Sequence, residues 1–323
     1  MDFRTNIVIN PSEPTISHQS KLMLLGSCFA ENIGNMLREN LFDVGINPFG
    51  ILYNPASVSM ALNRINDGKL FSEDELVYQN GLYHSFQHHG AFSNADKDKC
   101  LSGINEALKT ASESLLRADT LLLTFGTAHV FRYIPTNAVV ANCHKFPASD
   151  FKRSRLTIDE ITDDWTALIR KLREQNPRLN VLFTVSPIRH LKDGAHGNQL
   201  SKAVLLLAIE RLQQQVERTY YFPSYELLLD DLRDYRFYGE DMLHPNATAV
   251  KYIWDAFCKA CFDEPTMQII NEWSGIRQAL NHRPLNGETE QHKQFLKQTL
   301  LRLDAFRKKY PYFASEIERG KFI

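Results

Sequence analysis

Several runs in this chain are short, apolar throughout and set between helical stretches, and no other feature constrains the fold as tightly. Thr120-Leu121-Leu122-Leu123-Thr124 and Val181-Leu182-Phe183-Thr184-Val185 have no polar face to turn to water. Lys21 to Leu25, Phe42 to Ile46 and Tyr220-Tyr221-Phe222 also read as strands. Such strands need cover on both sides, which a parallel sheet with helices on each face supplies. Helical patterns fill the intervals, over about 30–40, from Pro55 onward, and over about 95–116, 157–175, 200–218 and 246–261. Thr157 is placed to cap one of them and Pro177 to close it. Two hairpins decorate the series. One turns at Asn80-Gly81; the other joins Val130–Tyr133 to Ala138–Val140. In a parallel sheet, sites form beyond the carboxyl ends of the strands. Gly26, Gly126 and Pro187 each stand just past such an end, so one shared site is expected there.

The run Met23-Leu24-Leu25-Gly26-Ser27-Cys28-Phe29-Ala30-Glu31-Asn32 carries the chemistry. An apolar strand ends in a glycine turn, two nucleophile-type side chains follow, and a helix starts at once. The first N–H groups of that helix then point where negative charge develops during an attack on a carbonyl. Far downstream, Asp241 and His244 stand three residues apart ahead of a helix. The carboxylate can accept the imidazole Nδ1–H and leave Nε2 free as a base. Together these runs predict a nucleophile, Cys28 or Ser27, with His244 as base and Asp241 as its orienter. A thiol beside an imidazole and a helix N-terminus is expected to ionise more readily than usual.

The order Gly26-Ser27-Cys28-Phe29-Ala30, Asn47-Pro48-Phe49-Gly50, Phe125-Gly126-Thr127-Ala128, Asn142-Cys143-His144-Lys145, Ser186-Pro187-Ile188-Arg189-His190 and Asp241-Met242-Leu243-His244-Pro245 resembles the GSCFA family, a branch of the SGNH/GDSL-type hydrolases, over residues 21 to about 262. The resemblance implies a doubly wound α/β fold, a flavodoxin-like three-layer sandwich with a mainly parallel sheet. It places Cys28 in the register of the superfamily's nucleophile. It also implies an oxyanion hole drawn from Gly50 and the block around Thr127. Ala128 stands where the superfamily has Asn, so that donor is absent or replaced, with Thr127, His129, Asn142 and His144 as candidate substitutes. The implied reaction is hydrolysis or transfer of an acyl group, from a small-molecule or carbohydrate-linked ester, through a covalent intermediate. The alternative from another class is a ligand-binding module that has lost this chemistry.

Asn142, His144, Lys145, Arg189 and His190 follow expected strand ends and are candidates to bind an anionic or hydroxyl-rich substrate. His84, His88 and His89 cluster locally but lack carboxylate or thiol partners at metal-ligand spacing, so no metal and no cofactor are expected. Cys258 and Cys261 have C-x-x-C spacing late in an amphipathic helix, where core packing explains them.

A net charge of −1 with no basic run gives no support for nucleic-acid binding. No segment approaches the ~20 apolar residues of a membrane span, so no membrane partner is expected. Five sparse cysteines and an opening Met1–Asn6 without an apolar stretch lead to the expectation of a cytoplasmic protein. We divide the chain into residues 1–264, the catalytic-type domain, and residues 265–323, a helical C-terminal extension. Within the extension, helices over 266–282 and 288–309 are separated by Arg283-Pro284-Leu285-Asn286-Gly287. Ile269, Ile270, Trp273, Ile276 and Leu280, and Phe295, Leu296, Leu300, Leu303 and Phe306, recur at helical spacing. Those faces need cover from the main domain or from a second copy of the chain in a homodimer.

Overall fold

The computed structural model describes residues 5–9, 14–282, 289–313 and 317–318. The chain opens with β1 (Lys21–Gly26), α1 (Cys28–Glu39), β2 (Asp43–Ile46) and α2 (Pro55–Asp67). The hairpin β3 (Leu76–Gln79) and β4 (Leu82–Ser85) follows, then α3 (Lys97–Arg117) and β5 (Thr120–Phe125). Strands β6 (His129–Tyr133), β7 (Ala138–Val140) and β8 (Phe151–Arg155) precede α4 (Ile158–Gln175). Next come β9 (Asn180–Val185), α5 (Gly194–Gln215) and β10 (Thr219–Phe222). The short α6 (Ser224–Glu226) runs into a π-helical stretch, Leu227–Asp231, before α7 (Ala247–Cys261). Two further helices, α8 (Glu264–Leu280) and α9 (Glu290–Lys309), complete the series. The sequence linker at 283–287 lies outside the described residues.

Five strands form one parallel sheet in the order β10-β9-β5-β1-β2. Alternate residues of each strand enter opposite layers. Met23, Leu25, Leu121, Leu123, Val181, Phe183 and Val185 pack with side chains of α2 to α5. Leu22, Leu24, Leu122, Leu182 and Phe222 pack with Phe29, Ile33 and Leu37 of α1 and Ile253, Trp254 and Phe257 of α7. This two-sided burial is why the strands read as continuous apolar runs. The chain winds outward from β1 in both directions, so the strand order reverses between β1 and β5. A crevice opens at such a switch point, at the carboxyl ends.

Two elements depart from the sequence expectation. Phe151-Lys152-Arg153-Ser154-Arg155 is too polar to read as a strand, yet β8 pairs antiparallel with β6 from Phe151–Tyr133 to Arg155–His129. With β7 it forms a three-stranded sheet, β7-β6-β8. The α5 helix begins at Gly194, six residues before the expected Leu200. Tertiary contacts explain both. Arg153 forms a two-pronged ion pair with Asp193 at the start of α5, and Asn198 Oδ1 accepts the His190 N–H at 2.9 Å.

The C-terminal helices dock on the end of α1. Trp273 is fully buried, and its indole N–H donates to Glu39 O at 2.8 Å. Arg277 pairs with Glu39 at 3.0 Å. Leu41 joins Trp273, Ile276, Leu303, Phe306 and Phe313 in one apolar cluster. The buried parts of the two faces close on each other and on Leu41, whereas Leu296 and Leu300 of the expected α9 face are exposed. Trp273→Ala is expected to destabilise the protein by ~3–5 kcal/mol. An unchanged urea midpoint would show that the extension adds nothing to the stability of the main domain.

Candidate active site

Gly26 ends β1 with φ +145°, and a Cβ there would sit 2.2 Å from Thr124 O on the neighbouring strand. Only glycine tolerates both conditions. The Gly26 N–H donates to Asn47 Oδ1 at 2.9 Å, and its carbonyl accepts from Leu52 N at 2.9 Å. Asn47 N in turn donates to Leu24 O at 2.8 Å. The Asn47-Pro48-Phe49-Gly50 motif thus fastens the segment after β2 to the end of β1. Gly26→Ala is expected to destabilise the fold by ~2 kcal/mol or more through backbone strain. A thermal melt that matches the wild type would refute the close approach.

The turn delivers Ser27 as the cap of α1 and Cys28 as its first residue. Ser27 is 1% exposed, and its Oγ accepts the Phe29 N–H at 3.3 Å. Cys28 is half-buried and free. Both line a cavity of about 420 Å³, together with Tyr53, Asn54, Thr127, Arg189, His190 and His244. The nucleophile candidates and the base candidate, from distant stretches of sequence, therefore share one cavity over the switch point. A wider hollow of about 620 Å³ beside α2 and α4 has no cysteine or histidine in its lining.

His244 stands on a loop closed by Gly239 N donating to His244 O at 2.8 Å. His244 Nδ1 and Asp241 Oδ2 are 2.5 Å apart. Asp241 Oδ1 also accepts the Leu243 and His244 amide N–H groups, each at 2.9 Å. Those two amides and the imidazole hold the Asp241 carboxyl down at about 2. The carboxylate therefore fixes the ring with Nδ1 inward and leaves Nε2 as the free nitrogen.

The thiol departs from expectation. Burial pushes the Cys28 thiol up, against the Phe29 and Cys28 N–H groups of the helix start and the Lys202 ammonium, which favour the anion. The helix start alone does not offset the cost of removing a sulfur anion from water.

The expected binding residues separate into two sets. Arg189 and His190 line the cavity. Burial, then the Lys202 charge, holds His190 down to about 4, and its ring packs against Tyr53 at 5.7 Å between centroids. Asn142, His144 and Lys145 do not line it. Asn142 Oδ1 accepts the His144 N–H at 2.9 Å, His144 Nε2 lies 2.8 Å from Ser85 O in a stack on His84, and Lys145 is exposed.

The expected oxyanion donors are also committed elsewhere. Gly50 N donates to Asn47 O at 2.7 Å, outside the cavity lining, and Thr127 N donates to Tyr53 O at 3.0 Å. Thr127 Oγ1 lies 3.1 Å from Ser201 Oγ. The metal-spacing argument for His84, His88 and His89 meets a set of local bonds. His84 reaches Ser93 and Gln79 O, and the buried His88 reaches Ser85 and is held down to about 3. Among the described residues, no group of three His, Cys, Asp or Glu side chains is arranged to hold a metal ion. Cys258 and Cys261 are free and buried on α7.

Sequence reasoning missed two residues at this site. Asn54 caps α2, with Oδ1 accepting from Ser57 N at 2.8 Å, and it borders the cavity with Nδ2 as its remaining donor. Lys202 of α5 is 1% exposed, and its Nζ donates to Gly126 O at 2.7 Å and Ser186 O at 2.6 Å. Asn-Pro is a common cap signal, and Lys202 sits among helix residues that read as amphipathic surface, so neither announced itself.

The fold and cavity define an α/β protein in which a thiol at the start of a helix and an Asp241-bonded histidine border one cavity at a parallel-sheet switch point. The chain belongs to the GSCFA family: the model of that family matches residues 21–257. A second model, of the GSCFA domain protein C-terminal domain, matches residues 273–322 and so takes in the C-terminal half of α8 and all of α9. No curated protein matches the chain. No described helix is long and apolar enough to cross a membrane.

Proposed function

We propose that this protein is an SGNH-type acyl-ester hydrolase or acyltransferase in which Cys28 is the nucleophile. The observation that carries this reading is the shared cavity of Cys28 and His244, with Asp241 bonded to the far side of the imidazole. The buried Ser27 hydroxyl, occupied with the helix cap, favours Cys28 over Ser27. The sheet order, with its switch point at β1 and β5, is compatible with the flavodoxin-like sandwich of that superfamily.

In the proposed reaction, His244 Nε2 takes the thiol proton as the sulfur attacks the ester carbonyl carbon. The carbonyl π pair moves to oxygen, giving a tetrahedral oxyanion. As it collapses, the bond to the leaving oxygen breaks, and His244 returns the proton to the departing alcohol. A water or acceptor hydroxyl then attacks the thioester while His244 takes its proton. The C–S bond breaks, and the sulfur recovers the proton from His244. The Cys28 N–H at the helix start and Asn54 Nδ2 are the proposed oxyanion donors, with Asn54 standing in for the amide missing at Ala128.

The reading is tested with p-nitrophenyl acetate, an acid quench and peptide mass spectrometry. An acetyl group is expected on Cys28 and none on the Cys28→Ala protein. Acetylation of neither Cys28 nor Ser27, with no turnover, would leave only a ligand-binding module. Asn54→Asp keeps the helix cap and removes the donor, so kcat is expected to fall by ~10²–10³. Wild-type turnover in that variant would remove Asn54 from the oxyanion hole.

A further inference from the structure

The buried Lys202 has no role in the reaction as written, and its surroundings are unusual for a charge. It is a lysine with 1% exposure, held by two neutral carbonyls and, among the described residues, by no carboxylate. A buried ammonium without an anionic partner is costly, and such groups are retained where the charge is used. Its two acceptors, Gly126 O and Ser186 O, belong to the residues that follow β5 and β9. Ser186 and the adjoining Thr127 both line the cavity. The charged and titratable groups whose fields reach the ammonium are Cys28 from the start of α1 and Arg189 and His190 from the segment after β9, and the Tyr225 ring of α6 lies 5.4 Å away. Arg189 and His190 are cationic or neutral, and the ring is neutral. Of these neighbours, Cys28 alone gains negative charge in the proposed reaction.

We propose that Lys202 is a positioning residue for Cys28: its ammonium ties the ends of β5 and β9 together beneath the cavity and faces the sulfur anion when the thiol ionises. The proposal rests on the reading of Cys28 as the reacting group. Burial, then the Arg189 charge, pushes the Lys202 ammonium down to about 7, and the Cys28 anion acts in the opposite direction. The same interaction favours the Cys28 anion, as reciprocity requires. The lysine thus offsets part of the burial penalty that the helix start leaves uncompensated. A lysine that merely stapled two carbonyls would influence stability and leave the thiol's titration unchanged.

The test follows the thiol and needs no substrate. The full chain is treated with iodoacetamide across a pH series, and labelling of Cys28 is followed by peptide mass spectrometry. In that reaction the thiolate sulfur forms the S–C bond and iodide leaves with the C–I electron pair. Lys202→Met is expected to slow labelling at neutral pH by about fivefold or more and to move the inflection to higher pH. Lys202→Arg, which keeps a cation, is expected to retain most of the wild-type rate. A folded Lys202→Met protein with the wild-type profile overturns the proposal. Should Lys202→Met fail to fold, Lys202→Gln, which keeps a donor for the two carbonyls and removes the charge, is labelled in its place. It is expected to slow labelling in the same way, and a wild-type profile in that variant overturns the proposal. A Lys202-dependent thiol profile in a protein that takes up no acyl group would instead overturn the acyl-transfer chemistry and leave the lysine–thiol pair standing.

Discussion

The crowding of backbone at the end of β1 is the constraint on which the rest of the site depends. A sheet buried on both faces leaves only its strand ends open for chemistry. At Gly26 the chain passes so close to Thr124 O that no side chain fits. There the N–H and C=O of one residue bind the segment after β2, through Asn47 and Leu52. The next residue, Ser27, bonds across to β5 through Thr124 O at 3.3 Å. Three adjacent strands are thereby locked at one point. Cys28 emerges there as the first residue of a helix, with the Cys28 and Phe29 N–H groups beside its sulfur. A shift of the turn by one residue would bury the thiol and expose the cap.

Electrostatics at this point is a contest between burial and a few well-placed charges. Burial disfavours the thiolate, an ionised His190 and the Lys202 ammonium alike. Asp241 escapes because its loop is solvated and three N–H groups converge on the carboxylate. Asp193 on the cavity wall is spent on Arg153 and on His129, 3.3 Å away. The wall therefore presents Arg189 and a neutral His190, with a buried ammonium beneath.

The C-terminal helices act on this site indirectly. Trp273 and Arg277 hold Glu39 at the far end of α1, the helix whose first residue is Cys28. Their apolar faces close on Leu41 and on each other. The helix that begins at Cys28 is thus fastened at both ends, by the glycine turn and by the extension.

Much of this was legible in the chain itself, because its signals are local. Continuous apolar runs specify strands buried on both faces. Glycine followed by Ser27 and Cys28 specifies a tight strand-to-helix turn, and Asp241 with His244 specifies a short-range pair. Each rests on spacing of a few residues. The polar strand β8, the early start of α5 and the burial of Lys202 depend instead on partners far away in sequence. Lys202 bonds to carbonyls 76 and 16 residues distant, and Arg153 finds Asp193 40 residues on. The amino-acid sequence by itself determined the strand–helix order and brought forward Cys28, Asp241 and His244 as candidates. Tertiary structure alone decided which polar groups face the cavity, because a side chain's burial and hydrogen-bond partners come from neighbours that only the folded chain brings together. That is why His144, Gly50 and Thr127 proved committed to backbone partners, and why a lysine that reads as helix surface lies buried on the carbonyls that follow β5 and β9.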